Sequence, residues 1–332
     1  MRSGPLAAAW QEPLFLSAVS EKGQVSYTGG GMTSQSTCAE QAWLLAAGGM
    51  LLMVFPTLGW AQQSQAPAAP EEGARALWDS TFLSRRPATT KASRPTAPAP
   101  SKTPGEKTAD SFLGVTVWRL RRSRPADEPG VRLLAHGEQR DEEWTPERME
   151  IDTPLADGQK VRISIETAQA GYLYVIEREQ YTGGTLGDPY LIFPTLRTRG
   201  GDNRVVPGAL VEIPAWDDDP PYLTLHSRPE QIGEVLTILV TPHRLSELQI
   251  GDKQLKLTSQ QVAEWEKKWG AQVKRLEARQ QVGKPYTPSE KEAGAAKVQL
   301  LTPADPAPQT LFRVDVKSGD PVLIQVPLRI RK

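Results

Sequence analysis

The chain is poor in the residues that carry most enzyme chemistry. Its 332 residues include one cysteine, Cys38, and three histidines, His136, His226 and His243. A lone cysteine excludes an intramolecular disulfide and every metal site built on paired cysteines. Cys38 also precedes all the strand-like segments, so thiol catalysis in the folded region is excluded. Neither sign of charge is in excess. Lys and Arg number 39 against 39 Asp and Glu, so no net field draws the chain to nucleic acid or to an anionic membrane. The sequence contains no Gly-x-Ser-x-Gly elbow, no His-Glu-x-x-His pair, no Walker loop and no Gly-x-Gly-x-x-Gly fingerprint. The expectation is a protein with no cofactor, no metal and no catalytic centre. The alternative is a hydrolase whose carboxylates or histidine follow no motif.

What is present divides the chain in three. Residues 42–60 form an uncharged apolar run with Pro56 near its end, and Gly59 and Ala61 occupy the −3 and −1 positions of a signal-peptidase site. The run begins late from Met1 and at a normal distance from Met32. Met32 is therefore the expected start, residues 1–61 an extension plus signal peptide, and Gln62 the mature N-terminus. Such a signal exports the protein to the periplasm or the extracellular space. The alternative is an uncleaved anchor over 42–60, near the ~20 residues that span a bilayer, and it would be the only membrane contact. Residues 62–110 are rich in Ala, Pro, Ser, Thr and Lys with few aliphatic side chains, and read as a disordered tether.

Residues 111–332 read as one β-rich domain. Residues 114–120 alternate as a first strand, and Arg119 to Arg124 is its solvated end. A weak strand at 131–135 is followed by a polar connection at 141–147. In 160–166, Val161, Ile163 and Ile165 are set for a core while Arg162, Ser164 and Glu166 are set for water, which predicts a sheet with one wet face. Residues 172–176 and 234–241 are apolar on both faces and read as central strands. The Gly-rich stretch 181–187 has a strand after it rather than a helix, so it is a hairpin loop and not a phosphate cradle. Asp217, Asp218 and Asp219 lack the spacing of a calcium loop and read as a solvated turn.

Residues 257–281 predict an amphipathic helix, with Thr258 and Gln261 as a capping-box pair and Gly283 and Pro285 as the stop. Val262, Trp265, Trp269, Val273 and Leu276 lie on one stripe. That stripe either packs on the sheet or, with two tryptophans on it, forms a partner-binding surface. Trp265 and Trp269 are accordingly the candidate binding residues. Residues 285–296 read as loose and polar. Residues 311–316 and 322–330 read as a terminal hairpin, with Pro327 marking an edge strand. The expected fold is mainly β: an antiparallel β-sandwich-like domain with one amphipathic helix (about 259–281) before a C-terminal β-hairpin.

Five short motifs recur in the order Gly171-Tyr-Leu-Tyr-Val, Leu191-Ile-Phe-Pro, Asn203-Arg-Val-Val-Pro-Gly, Ile213-Pro and 236–242. Over about 159–242 this pattern resembles a bacterial domain-of-unknown-function family numbered 4384. The resemblance implies an accessory module and supplies no catalytic residues. The functional expectation is an exported, non-catalytic, envelope-associated binding or scaffolding module whose partner is another envelope protein or a glycan.

Overall fold

The computed structural model describes residues 81–90, 108–136, 141–295, 299–317 and 319–331. The signal or anchor segment 42–60, the alternative start Met32 and most of the 62–110 tether lie outside the described residues.

In chain order the strands are β1 (Thr108–Arg122), β2 (Leu133–Ala135), β3 (Glu142–Met149), β4 (Lys160–Thr167), β5 (Gly171–Tyr181), β6 (Tyr190–Phe193) and β7 (Arg204–Val205). They continue with β8 (Leu210–Ile213), β9 (Leu223–Thr224), β10 (Gln231–Thr241) and β11 (Leu255–Lys256). After these come helix α1 (Ser259–Trp269), β12 (Val273–Glu277), helix α2 (Pro288–Ala295), β13 (Thr310–Lys317) and β14 (Val322–Arg329).

The strands form two antiparallel sheets, as a sandwich requires. In the first, one edge of β1 pairs with β13 and then with β3, and the other edge pairs with β4, which carries β8 and β9. The second runs β11-β6-β5-β10-β14, with β7 on β5. Val115, Val117, Ile163 and Ile165 of the first sheet meet Val175, Ile238, Val240 and Ile324 of the second in one buried cluster. The outer face of the second sheet is covered too, because α1 lays Val262 and Trp265 on Tyr174, Ile176 and Leu239. That cover is why β5 and β10 are apolar on both faces. β14 lies at the sheet edge, where the missing amide of Pro327 is tolerated.

Five expectations are corrected. The helix ends at Trp269 rather than near 281. Gly270 caps it, donating its amide to the Glu266 carbonyl at 2.8 Å, and Val273 and Leu276 enter β12, whose backbone pairs with β13. The C-terminal hairpin does not form: β13 lies between β1 and β12 while β14 pairs with β10, so the chain changes sheets between them. Residues 141–147, read as a polar connection, belong to β3 and bridge β1 and β2.

The fourth correction matters most for function. The outer face of β4 is dry. Arg162, Ser164 and Glu166 are 1%, 3% and 1% exposed, because residues 81–90, helix α2 and the loop 299–309 return over them. Part of the expected tether is therefore part of the fold. Phe82 packs with Phe112 and Leu311, so the domain begins before residue 111. Gly114 permits this close approach, since a Cβ there would sit 2.3 Å from Cγ of Pro308.

Candidate functional site

Three buried ion pairs run through this layer: one ties residues 81–90 to β4, one ties β4 to β8, and one ties β3 to α2. Arg86, held after the short turn Leu83–Arg85, donates Nε and Nη2 to the two oxygens of Glu166, each at 2.7 Å. Its remaining donors reach the carbonyls of Thr302, Asp305 and Pro306, each at 3.0 Å. Those carbonyls are presented by a turn in which Thr302 donates its amide and hydroxyl to the Asp305 carboxylate at 2.6 and 2.8 Å. Arg162 donates to Glu212 at 2.7 Å, and Trp118 donates its indole N–H to Ser164 at 2.7 Å. Arg148 pairs with Glu290, and Tyr286 places its hydroxyl against Glu212.

Glu290 has a second task. Thr287 caps α2, and the Glu290 carboxylate accepts from the Thr287 amide at 3.0 Å, which is a capping box with Pro288 at the first helical position. The segment Thr287-Pro-Ser-Glu290 carries this signal in the sequence, although 285–296 was expected to be loose.

Burial pushes the carboxyls of Glu166 and Glu290 up, and Arg86 and Arg148 pull them back. Burial, reinforced by Glu212, drives the Tyr286 phenol well above its ordinary value. The void among Gly114, Ser164, Glu166 and Glu290 measures about 10 Å³, room for no more than one water. With each carboxylate matched to its own arginine and sealed, this layer is built to lock segments together. Removing one partner of such a pair costs about 3–5 kcal/mol, because the other charge stays buried.

A second cluster sits on the inward-facing rows of β5 and β10. Glu234 lies directly opposite Glu179, and Glu177 opposite Leu236. Burial and the charge of Glu179 push Glu177 to about 7, and Arg228 opposes them. Burial and Glu177 push Glu234 well above its ordinary range. Glu179 is satisfied by Arg228 at 3.1 Å and by the Tyr181 hydroxyl at 2.7 Å. Glu177 and Glu234 therefore hold protons in the range where carboxyls are ordinarily ionised.

A cleft of about 120 Å³ opens between the loop 197–200, the start of β8 and the end of α2. Arg199 lines it with φ of 55°, followed by Gly200 and Gly201 at 59° and 78°. A non-glycine residue in this left-handed region costs about 1–2 kcal/mol. Among the described residues, the buried Nη1 atom of Arg199 has no hydrogen-bond partner. Burial lowers the pKa of this guanidinium against the opposing charge of Asp202, which is itself paired with Arg204 at 3.1 Å.

The residues singled out in the sequence fall elsewhere. Trp265 is 8% exposed within the cluster under α1, and Trp269 stacks on it with ring centroids 5.9 Å apart. Only the partly buried Trp269 keeps surface for a partner. His136, exposed, lies 3.0 Å from Asp141, whose hydrogen bond raises its pKa. His226 and His243 are exposed. Asp218 accepts from the amide of Ala215 at 2.8 Å and so closes the turn at 215–218. The arginines of the locked layer, and Arg199, carried no motif, because each meets its surroundings only through tertiary contacts.

No family model matches the chain, and no curated protein or solved structure is significantly similar to it.

Proposed function

We propose that the protein is an exported, non-catalytic binding or scaffolding module of the cell envelope, displayed on an N-terminal tether. The observation that supports this most is the docking of Phe82 and Arg86: a stretch inside the expected tether is clamped into the domain by a buried bidentate ion pair. A joint of that kind transmits position and pull from the tether to the sandwich. The motifs between Gly171 and Pro242 support the same reading through their likeness to family 4384, whose domains occur as accessory modules. The partner is an envelope protein or a glycan, and nucleic acid is not expected for a chain of zero net charge. Export leaves a mature chain starting at Gln62, or one anchored by 42–60.

The test is cross-linking of the exported chain in envelope fractions, with mass spectrometry of its N-terminus. A Gln62 start, or an envelope-bound uncleaved form, together with a reproducible protein or glycan adduct is the expected result. An intact Met32 start in the cytosol, or no adduct, contradicts the proposal.

A hydrolase is the second reading, and what favours it is the contrast between Glu179, paired with Arg228, and the neighbouring carboxyls of Glu177 and Glu234, which burial pushes up, since environments that set neighbouring carboxyls apart create acid and base roles. Hydrolysis of a peptide or glycan by the pure chain, abolished in Glu234→Gln with the fold intact, would replace the binding reading.

A further inference from the structure

We propose that β12 is the seam of a symmetric dimer, in which a second copy of this chain adds its own β12 antiparallel to the free edge of the first sheet. This goes beyond the binding-module reading and does not rest on it.

β12 closes the first sheet and has β13 on one side. The Ala278 amide donates to the Gln309 carbonyl at 2.8 Å, and the Asp315 amide to the Gln272 carbonyl at 3.1 Å. Both contacts continue the register of β12 with β13, so the even-numbered residues of β12 turn their backbone to β13. Val273, Arg275 and Glu277 turn theirs away, and among the described residues no backbone group bonds to these outward positions. Such a row is a template for another strand. The second sheet treats its closing strand differently. The Ile330 amide reaches the Ile232 carbonyl at 2.9 Å, and the same alternation along β14 points Pro327 outward, where it removes a donor. β12 contains no proline, and Val273 to Arg275 are exposed.

Charge selects both the partner and the register. Two copies related by a two-fold, overlapping over the middle of the strand, centre on Lys274, Arg275 or Leu276. The first two centres set Lys274 against Lys274 or Arg275 against Arg275, like charges directly opposed. Centred on Leu276, Arg275 lies opposite Glu277 of the second copy, and Glu277 opposite its Arg275. Each such pair exchanges two backbone hydrogen bonds. Within one strand the Arg275 guanidinium stands 3.5 Å from Glu277, and Asp152 holds it in that row at 3.1 Å. The two-fold thereby closes four side chains into a ring of alternating charge. On the other face Leu276, packed beside Phe112 and Leu311, meets its own copy. The contact is isologous, so it closes at two chains.

Sedimentation of the full chain over a range of concentrations tests this. The wild type should form a reversible dimer. Arg275→Glu and Glu277→Arg each set like charges across the seam, and each should be monomeric where the wild type is dimeric. An equimolar mixture of the two restores opposite charges and should dimerise again. Oxidative cross-linking in a Cys38→Ser background reads the register independently, whatever the charge variants do to folding. Leu276→Cys should link two chains, because the central residues face each other at about 4.5 Å between Cα atoms, within the span of a disulfide. Lys274→Cys should lose that linkage. A wild type monomeric at every concentration, folded charge variants that dimerise like the wild type, a folded mixture that stays monomeric, or linkage through Lys274→Cys instead of Leu276→Cys would overturn the proposal.

Discussion

Arg86 and Glu166 stand 80 residues apart in sequence and meet through two nitrogen–oxygen contacts of 2.7 Å, with side chains only 1% and 2% exposed. This pair turns a stretch inside an apparent tether into a structural part of the sandwich. Arg86→Ala should therefore destabilise the fold by about 3–5 kcal/mol, since it strands a buried carboxylate. Replacing both members with apolar residues, Arg86→Met with Glu166→Leu, should recover part of that loss, because the carbonyls of Asp305 and Pro306 still lose the Arg86 donors. Urea unfolding of the single and double variants measures the difference.

Stability should depend on pH through Glu177. Its pKa is raised in the fold to about 7 from an ordinary 4.5, so the folded state binds this proton more tightly. The contribution is fully present below about 4.5 and is lost as pH rises through about 7, amounting to roughly 3 kcal/mol. Glu234 acts in the same direction. Thermal melting should fall across that window in the wild type and fall less in Glu177→Gln, which should also be the more stable above it.

Much of the architecture is readable in the chain, and its failures have one cause. The double-faced apolar strands β5 and β10 were legible because each residue reports its own burial. Arg162, Ser164 and Glu166 alternate as a solvated row would, and nothing local shows that residues 81–90 and 299–309 return to cover them. The stripe from Val262 to Leu276 kept helical spacing past Trp269 by coincidence. Gly270 ended the helix, and β13 offered its edge to what followed. The cleft beside Arg199 was invisible because it is assembled from three separated segments.

Trp265→Ala should destabilise the domain by about 3–5 kcal/mol, as truncation of a buried aromatic does. Trp269→Ala should cost clearly less, because its ring is only partly covered. Thermal denaturation of the two variants separates these roles, and equal small losses would place Trp265 on the surface.

Gly294→Ala reverses an ordinary rule. In a helix interior alanine is favoured over glycine by about 1 kcal/mol. Here the new Cβ would lie 2.5 Å from the carboxyl carbon of Glu212, which Arg162, Ser164 and Tyr286 hold in place. The variant should unfold at lower urea than the wild type, and a gain in stability would show that Glu212 is free to move.

The most direct measurement compares the unfolding free energies of two truncations, one lacking residues 1–80 and one lacking 1–90. The first should keep the buried layer closed and unfold in one cooperative step. The second loses Phe82 and Arg86, and should be less stable by at least the cost of Arg86→Ala or fail to fold at all. Equal stability of the two would contradict the claim that residues 81–90, inside the apparent tether, are part of the sandwich.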